Sequence, residues 1–381
     1  MNIRKLIGAV ALAVAATGVS AQQTVKLASI VELSGAGTTA GTTFRNGVDL
    51  AVKEINAGKG ILGHKIDMTT LDTQSNPGIA KGLTQKVIDQ DVFAIFGPVF
   101  SGSIMVSMSE SQRAEIPNFT GGEAAAITKQ GNPYVFRTSF TQADAIPKVV
   151  KYINNTIKAK TVAVIYQNND FGKGGRDVFM KAIEGTSTKV VADVSTEQGQ
   201  VDFSSAVLKA KQSNADAVFI YVTEEESARA LKEFKKQGFT KPLIGETTLT
   251  GQKVIDLAGD AANGAIAHVG LTADAPNANI RAFKAKFQKA YGFVPDHNAI
   301  KGYTGVYVLK AAIEKVGKFD RKEVAKAMHG IKILAKDQPG VLLDIAFDDK
   351  GDLDRESYFV QVKNGKQEVI QTFQPAFTSK K

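Results

Sequence analysis

The segment GPVFSGSI, residues 97–104, puts a serine where an apolar run gives way to a helix-like one. Ser101 has three candidate uses there: a nucleophile, a helix cap, or one side of a cradle for a small anion. No G-x-S-x-G pattern surrounds it, so a nucleophile at a strand-to-helix elbow is disfavoured. Capping its own helix is the commoner use of such a serine. A cradle would combine its hydroxyl with the free N–H groups of Gly102 and Ser103. The first turn of a helix leaves those donors unpaired and carries partial positive charge, which attracts a carboxylate or phosphate.

Other residues carry weaker signals. In LSGAGTTAG (33–41), Gly35, Gly37 and Gly41 form a loosened dinucleotide fingerprint, and Asp72 ends the next strand where a ribose-binding acid would stand. That pattern defines the enzyme alternative, an exported dinucleotide-dependent oxidoreductase. Its spacing is one residue too long, and a ligand-lining or tight-turning loop is the simpler reading. Acids recur where strands should end: Glu32, Glu123, Asp170, Glu246 and the run Glu224, Glu225, Glu226. The run is expected to complement the positive end of its helix. Any one acid facing a crevice unpaired would favour an ammonium, so a cradle at Ser101 opposite a carboxylate suits an α-amino acid zwitterion. Phe171 would add an aromatic wall. The histidines, His64, His268, His297 and His329, lack metal-ligand spacing, so no metal, cofactor or catalytic role is assigned to them.

These residues must be positioned by alternating elements. Strands are expected at 24–31, 64–72, 92–97 and 116–121, then again at 161–167, 189–195, 216–223 and 241–246. Helices fall between them, at 43–58, 173–184, 202–212 and 225–237. Two successive series of this kind imply an α/β fold of two Rossmann-like lobes, each a parallel sheet with helices on both faces. Ligands gather beyond the carboxyl ends of such strands. The candidate loops are therefore 32–41, 72–77, 97–103 and 120–123 in the first lobe, and 167–172, 196–199, 223–226 and 246–250 in the second. Beyond residue 250 the chain reads as mostly helical, notably at 278–291 and 298–316, and ends in a hairpin turning at Asn364-Gly365.

Length and composition agree. A chain of 381 residues, 43 % of them hydrophobic, can bury the cores of two lobes. Arg4 and Lys5, the apolar run 6–16 and Val19-Ser20-Ala21 form a secretory signal over 1–21, with cleavage expected after Ala21. Cleavage removes those two bases and no acid, so the formal charge falls from +9 to +7. No other stretch reaches the ~20 apolar residues of a membrane helix, so no stable membrane insertion is expected. There is no cysteine, hence no disulfide and no lipoprotein anchor. A free protein in the periplasm of a double-membraned bacterium follows. Lysines and arginines are scattered over solvated helix faces, which argues against a nucleic-acid partner.

The blocks at 34–66, 95–103 (IFGPVFSGS), 120–128 (TGGEAAAIT), 134–139 (YVFRTS) and 166–175 (YQNNDFGKGG) resemble the branched-chain amino-acid type of ABC-importer solute-binding proteins. The resemblance implies a type I periplasmic binding protein, a monomer whose two lobes are joined by a three-stranded hinge. Crossings are expected near 140, 248 and 355, giving lobe 1 from 22–140 and 249–355 and lobe 2 from 141–248 and 356–381. It implies a non-catalytic receptor that takes a small carboxylate-bearing solute to a permease driven by ATPase subunits. Carried over by position, Ser101 with Phe100 and Gly102 beside it would hold the ligand carboxylate, and Gly121, Gly122 and Glu123 the next loop's contacts. Phe171 matches a tyrosine that closes over the ligand, Thr223 and Ala40 stand where aromatics often do, and Glu246 or Thr247 matches the ammonium-binding acid. The smaller residues imply a pocket roomier than a leucine receptor's, so an aromatic carboxylate, amide or urea-like compound is the alternative cargo. A sensor built on the same fold is a third class.

Overall fold

A computed structural model describes residues 23–378; the secretory signal expected over 1–21 lies outside the described residues. The first lobe opens with β1 (Thr24–Val31), α1 (Thr38–Ala57), β2 (Lys65–Asp72), α2 (Pro77–Asp89) and β3 (Ala94–Phe96). It continues through α3 (Ser101–Arg113), β4 (Asn118–Thr120), α4 (Ala126–Lys129) and β5 (Val135–Arg137). Its five strands pair in parallel in the order β2-β1-β3-β4-β5. Helices cover both faces, so Leu27, Ala28, Ile30 and Val31 are all buried, as a parallel strand requires. The helix expected from residue 43 starts at Thr38. A Cβ at Gly41 would lie 2.1 Å from the Glu32 carbonyl oxygen, so only glycine lets α1 begin pressed against the end of β1.

The second lobe runs through α5 (Gln142–Tyr152), β6 (Thr161–Gln167), α6 (Asp170–Ile183), β7 (Lys189–Thr196), α7 (Ser204–Gln212) and β8 (Ala217–Tyr221). Then come α8 (Glu224–Lys236), β9 (Leu243–Gly245), α9 (Thr247–Thr250), α10 (Gln252–Ala258) and β10 (Ile266–Val269). The chain returns to the first lobe with α11 (Ala278–Tyr291), α12 (His297–Val316), α13 (Arg321–Met328) and the short strands β11 (Lys332–Ile333), β12 (Ile345–Phe347) and β13 (Leu353–Arg355). Strands β14 (Ser357–Lys363) and β15 (Lys366–Phe373) form the expected hairpin and finish the second sheet, whose order is β15-β14-β10-β9-β8-β6-β7. Both hairpin strands run antiparallel, so this sheet is parallel only from β7 to β10.

Two expectations for the C-terminal part need correction. The region beyond 250 is not mostly helical, since it also carries β10 and the antiparallel sheet β11-β12-β13. Because β10 pairs with β9 and β14, the chain re-enters the first lobe after Val269 rather than near 248, and residues 249–269 stay with the second sheet. Four residues are too few to display a strand period, so the sequence pattern hid β10.

The lobes meet at three crossings, which Arg355 joins. Its buried guanidinium donates to the carbonyls of Thr138 (3.2 Å) and Gly270 (3.4 Å) and lies 5.6 Å from the Phe140 ring centre. Helix α12 reaches the cleft by packing flush on α1. A Cβ at Gly47 would come within 1.9 Å of the Ala299 carbonyl oxygen, and one at Gly302 within 2.2 Å of that of Phe44, so this pair of glycines lets the two backbones touch.

Candidate functional site

A cavity of about 220 Å³ lies between the lobes, where the carboxyl ends of both sheets converge. On the first-lobe side its geometry begins with Glu32, just past β1. The fully buried carboxylate accepts from the amides of Val99 (3.0 Å) and Phe100 (3.1 Å) and so fixes the bend between β3 and α3. Burial pushes this carboxyl up to about 7, while the amide bonds pull the other way. Phe100, not Ser101, is the N-cap of α3, and it offers no side-chain cap. Ser101 is thus the first residue of the helix. Its Oγ accepts from the Ala124 amide at 3.3 Å, which leaves the hydroxyl proton to be donated. The N–H groups of Ser101, Gly102 and Ser103 begin the helix with no carbonyl four residues back to receive them, which makes a ready anion site.

The loop after β4 crosses over this helix start. A Cβ at Gly122 would lie 2.4 Å from Ile104 Cδ1 and 3.2 Å from Ser101 Oγ, so the close passage needs glycine. Gly121, Gly122 and Glu123 all line the cavity, as do Ala40, Phe100 and Gly102. Glu123 is paired with Lys301 Nζ at 2.9 Å and lies 3.4 Å from the Tyr221 hydroxyl. Its charge is therefore answered inside the wall.

The second lobe contributes Phe171 and Thr223. Phe171 stacks on Tyr221 with ring centres 4.3 Å apart, and Gln142 Nε2 donates to its carbonyl at 2.8 Å. The other two expected contacts are placed differently. Glu246 is buried, accepts from its neighbour's amide at 2.5 Å and lies 3.0 Å from His268 Nδ1, so it and Thr247 stand behind the cavity wall. The next residue of α9, Thr248, lines the cavity instead, and its buried Oγ1 has no hydrogen-bond partner.

The run of three acids at the start of α8 does more than complement a helix end. Glu226 accepts from Gln167 Nε2 (3.2 Å), the Gly199 amide (2.7 Å) and the Thr223 hydroxyl, which ties the second lobe's own loops together. Glu225 accepts from the Thr39 hydroxyl across the cleft. Glu224 faces the cavity, where Asn298 Nδ2 donates to its Oε1 at 3.0 Å and His297 Nε2 approaches the same oxygen at 3.5 Å. Burial pushes Glu224 up to about 8, and the nearby carboxylates of Glu225 and Asp296 push the same way.

His297, Asn298 and Lys301 were not among the expected site residues. They come from the first two turns of α12, opened by Asp296, whose Oδ1 accepts from the Ala299 amide at 3.0 Å. The cap motif was visible in the sequence, but α12 follows no strand of the series, and the strand-end rule does not reach it. The glycine loop also resolves. A Cβ at Gly37 would lie 2.8 Å from both Glu32 Cβ and Phe100 Cζ, so that glycine serves packing. Asp72, proposed for a ribose, accepts from the amides of Leu33 (2.9 Å), Ser34 (3.2 Å) and Gln74 (2.8 Å) and from Ser34 Oγ (2.6 Å). Its oxygens are taken up in holding the loop.

Among the described residues no group of three or more His, Cys, Asp or Glu is placed to hold a metal ion. Among them, too, no helix is long and apolar enough to cross a membrane.

The model of the family described as periplasmic binding protein matches residues 24–367, and the chain belongs to that family. It is 27 % identical over 356 residues to the leucine-, isoleucine-, valine-, threonine- and alanine-binding protein of Pseudomonas aeruginosa, covering 92 % of this chain and 93 % of that one. The leucine-binding protein LivK of Thermotoga maritima superposes with a TM-score of 0.83 at 25 % identity, covering 92 % and 99 % of the two chains. An ABC-transporter solute-binding protein of R. palustris solved with benzoate gives 0.84 at 25 % identity, covering 92 % and 97 %. No comparison supports the oxidoreductase alternative: the relatives are binding proteins.

Proposed function

We propose that this member of the periplasmic binding protein family is the receptor of an ABC importer. It captures a small carboxylate-bearing solute, an amino acid or a related compound, between its lobes, and it acts without catalysing a reaction. One observation carries the reading: the uncapped start of α3, with the Ser101 hydroxyl and three unpaired amides, opens into a cavity whose far wall belongs to the other lobe. A carboxylate docked there would accept charge-assisted hydrogen bonds from the helix start. Contacts to Phe171 and Thr223 would exist only in the closed form, and that difference in affinity is what shifts the hinge equilibrium toward closure. The closed receptor would then dock on a permease whose partner subunits hydrolyse ATP, in the periplasm to which the family's location points.

The cavity size argues in the same direction. About 220 Å³ suits a small solute and is too little for a dinucleotide. A second cargo, an aromatic carboxylate, is favoured by Phe100 and Phe171 in the wall and by the likeness to the benzoate-bound relative.

The test is a thermal-shift screen of amino acids and aromatic acids, each paired with its neutral amide or ester. A carboxylate at 100 times its dissociation constant is expected to add ~2.7 kcal/mol of stability, while its neutralised partner adds far less. Ser101→Ala should weaken binding by about 1–3 kcal/mol, the cost of a lost hydrogen bond to a charged group. Equal affinities of the variant and the parent protein in calorimetry would remove Ser101 from the site.

A further inference from the structure

The buried polar groups of the two cavity walls differ in character, with Lys173 of the second lobe exposed at the rim, and this narrows the class of cargo. The first lobe presents donors: the Ser101 hydroxyl and the amides at the start of α3. The second lobe presents two acceptors, Glu224 and the unpartnered Oγ1 of Thr248, which are 3 % and 6 % exposed. Among the described residues that line the cavity, Glu224 is the buried carboxylate with no cation against it. Glu123 has Lys301 at 2.9 Å, and Asp170 is exposed at the rim. His297, beside Glu224, is held neutral by its own burial. Asn298 and His297 converge on Oε1, and apart from Glu224's own backbone amide no further donor among the described residues bonds this carboxyl. A buried carboxyl with no cation beside it is costly to ionise, and a cation brought in from outside offsets that cost.

We propose that Glu224 and Thr248 form the acceptor end of the cavity, so that the cargo carries a cationic nitrogen seated against them, across the cleft from its carboxylate at Ser101. The inference rests on the receptor reading above and deepens it. It assigns the nitrogen to Glu224 rather than to Glu246, whose oxygens are already bonded to His268 and Thr247. It also disfavours both an aromatic acid and a bulky hydrocarbon side chain. An aromatic carboxylate would bring negative charge near Glu224 and leave it unpaired. The hydrocarbon of the lining is confined to Ala40, Pro77, Val99, Phe100 and Phe171, so a small polar zwitterion fits better than a branched aliphatic one.

Calorimetry on the purified protein with matched probes decides the matter. L-Alanine, L-glutamine and L-leucine are each compared with the acid lacking only the amino group, namely propanoate, glutaramate and isocaproate, and benzoate is added. The parent protein is expected to bind at least one amino acid about tenfold or more tighter than its partner acid. In Glu224→Gln that ratio should fall toward one, the amine losing its counter-charge and the partner acid losing a like charge beside it. Thr248→Val should lower it less, and this variant serves as the readout if Glu224→Gln fails to fold. A ratio that survives both substitutions overturns the inference. So does benzoate binding tighter than every amine in a Ser101-dependent manner, although the receptor reading would then stand. If none of the probes binds, the receptor reading falls and the inference with it.

Discussion

Glu32 and Glu224 occupy comparable places in the two lobes, each just beyond the carboxyl end of a parallel strand, β1 and β8. Both are buried, and burial pushes their carboxyls up to about 7 and about 8. Their surroundings differ. The two oxygens of Glu32 are met by the amides of Val99 and Phe100, so the group acts as a rivet that shapes the Ser101 helix start. Glu224 receives an amide hydrogen from Asn298, has His297 Nε2 at 3.5 Å from the same oxygen, and faces the cavity with no cation beside it. The same chemical group builds structure where donors are aimed at both oxygens and stands open in a cavity wall where fewer are supplied.

The largest expected effect comes from removing the rivet. Glu32→Ala strands the buried amide of Val99 and the part-buried amide of Phe100, at about 1–3 kcal/mol for each buried donor, so unfolding in denaturant should show a loss of about 3 kcal/mol, with ligand binding lost as well. A variant of unchanged stability would erase the distinction between the two acids.

The next effect is a pH dependence whose sign follows from the raised values. A carboxyl that holds its proton more tightly folded than unfolded contributes stability that is full below the unfolded value near 4.5 and is lost as pH rises through the folded one. The empty protein should therefore melt lower at about pH 9 than at about pH 6, with the Glu32 share fading through about 7 and the Glu224 share through about 8. Glu224→Gln should remove the upper part of that fall and be more stable than the parent at about pH 9, by on the order of 1 kcal/mol or more. Glu225, and Asp296, His297 and Lys301 at the start of α12, are common to both proteins, so the difference between the two melting profiles isolates Glu224. Superimposable profiles would show that Glu224 is already paired by something within the protein.

The smallest effect concerns Asp72, an acid that lies outside the cavity wall. Asp72→Asn should cost about 1 kcal/mol of stability through weakened bonds to the 33–41 loop, and it should leave cargo affinity unchanged. A loss of affinity at unchanged stability would move Asp72 into the site.

Much of the cavity lining is legible in the sequence. The strand-end rule found the loops that supply Ser101, Gly121, Phe171, Thr223 and Thr248, because a strand followed by a helix is a local pattern and its carboxyl end is known once its direction is. The rule could not say which residue of a loop faces inward. Glu246 and Thr248 lie two positions apart, and only the packing of α9 sends one to His268 and the other to the cavity. Glu224 is visible in the sequence as an acid at a helix start, where the helix dipole accounts for it, since nothing nearby in the chain marks it as lacking a cation.

By itself the sequence determined the alternating strands and helices, the two lobes, the terminal hairpin and the helix start that presents open amides, all of which depend on residues within one or two turns of each other. The tertiary structure decided the rest. It set the late return from the second lobe after β10, the arrival of the first turn of α12 in the cleft, and the meeting of Glu224 with Asn298, 74 positions further along the chain. The reason is physical. Whether a buried carboxylate is satisfied or left open depends on which distant donors the fold brings to it, and no short window of sequence carries that information.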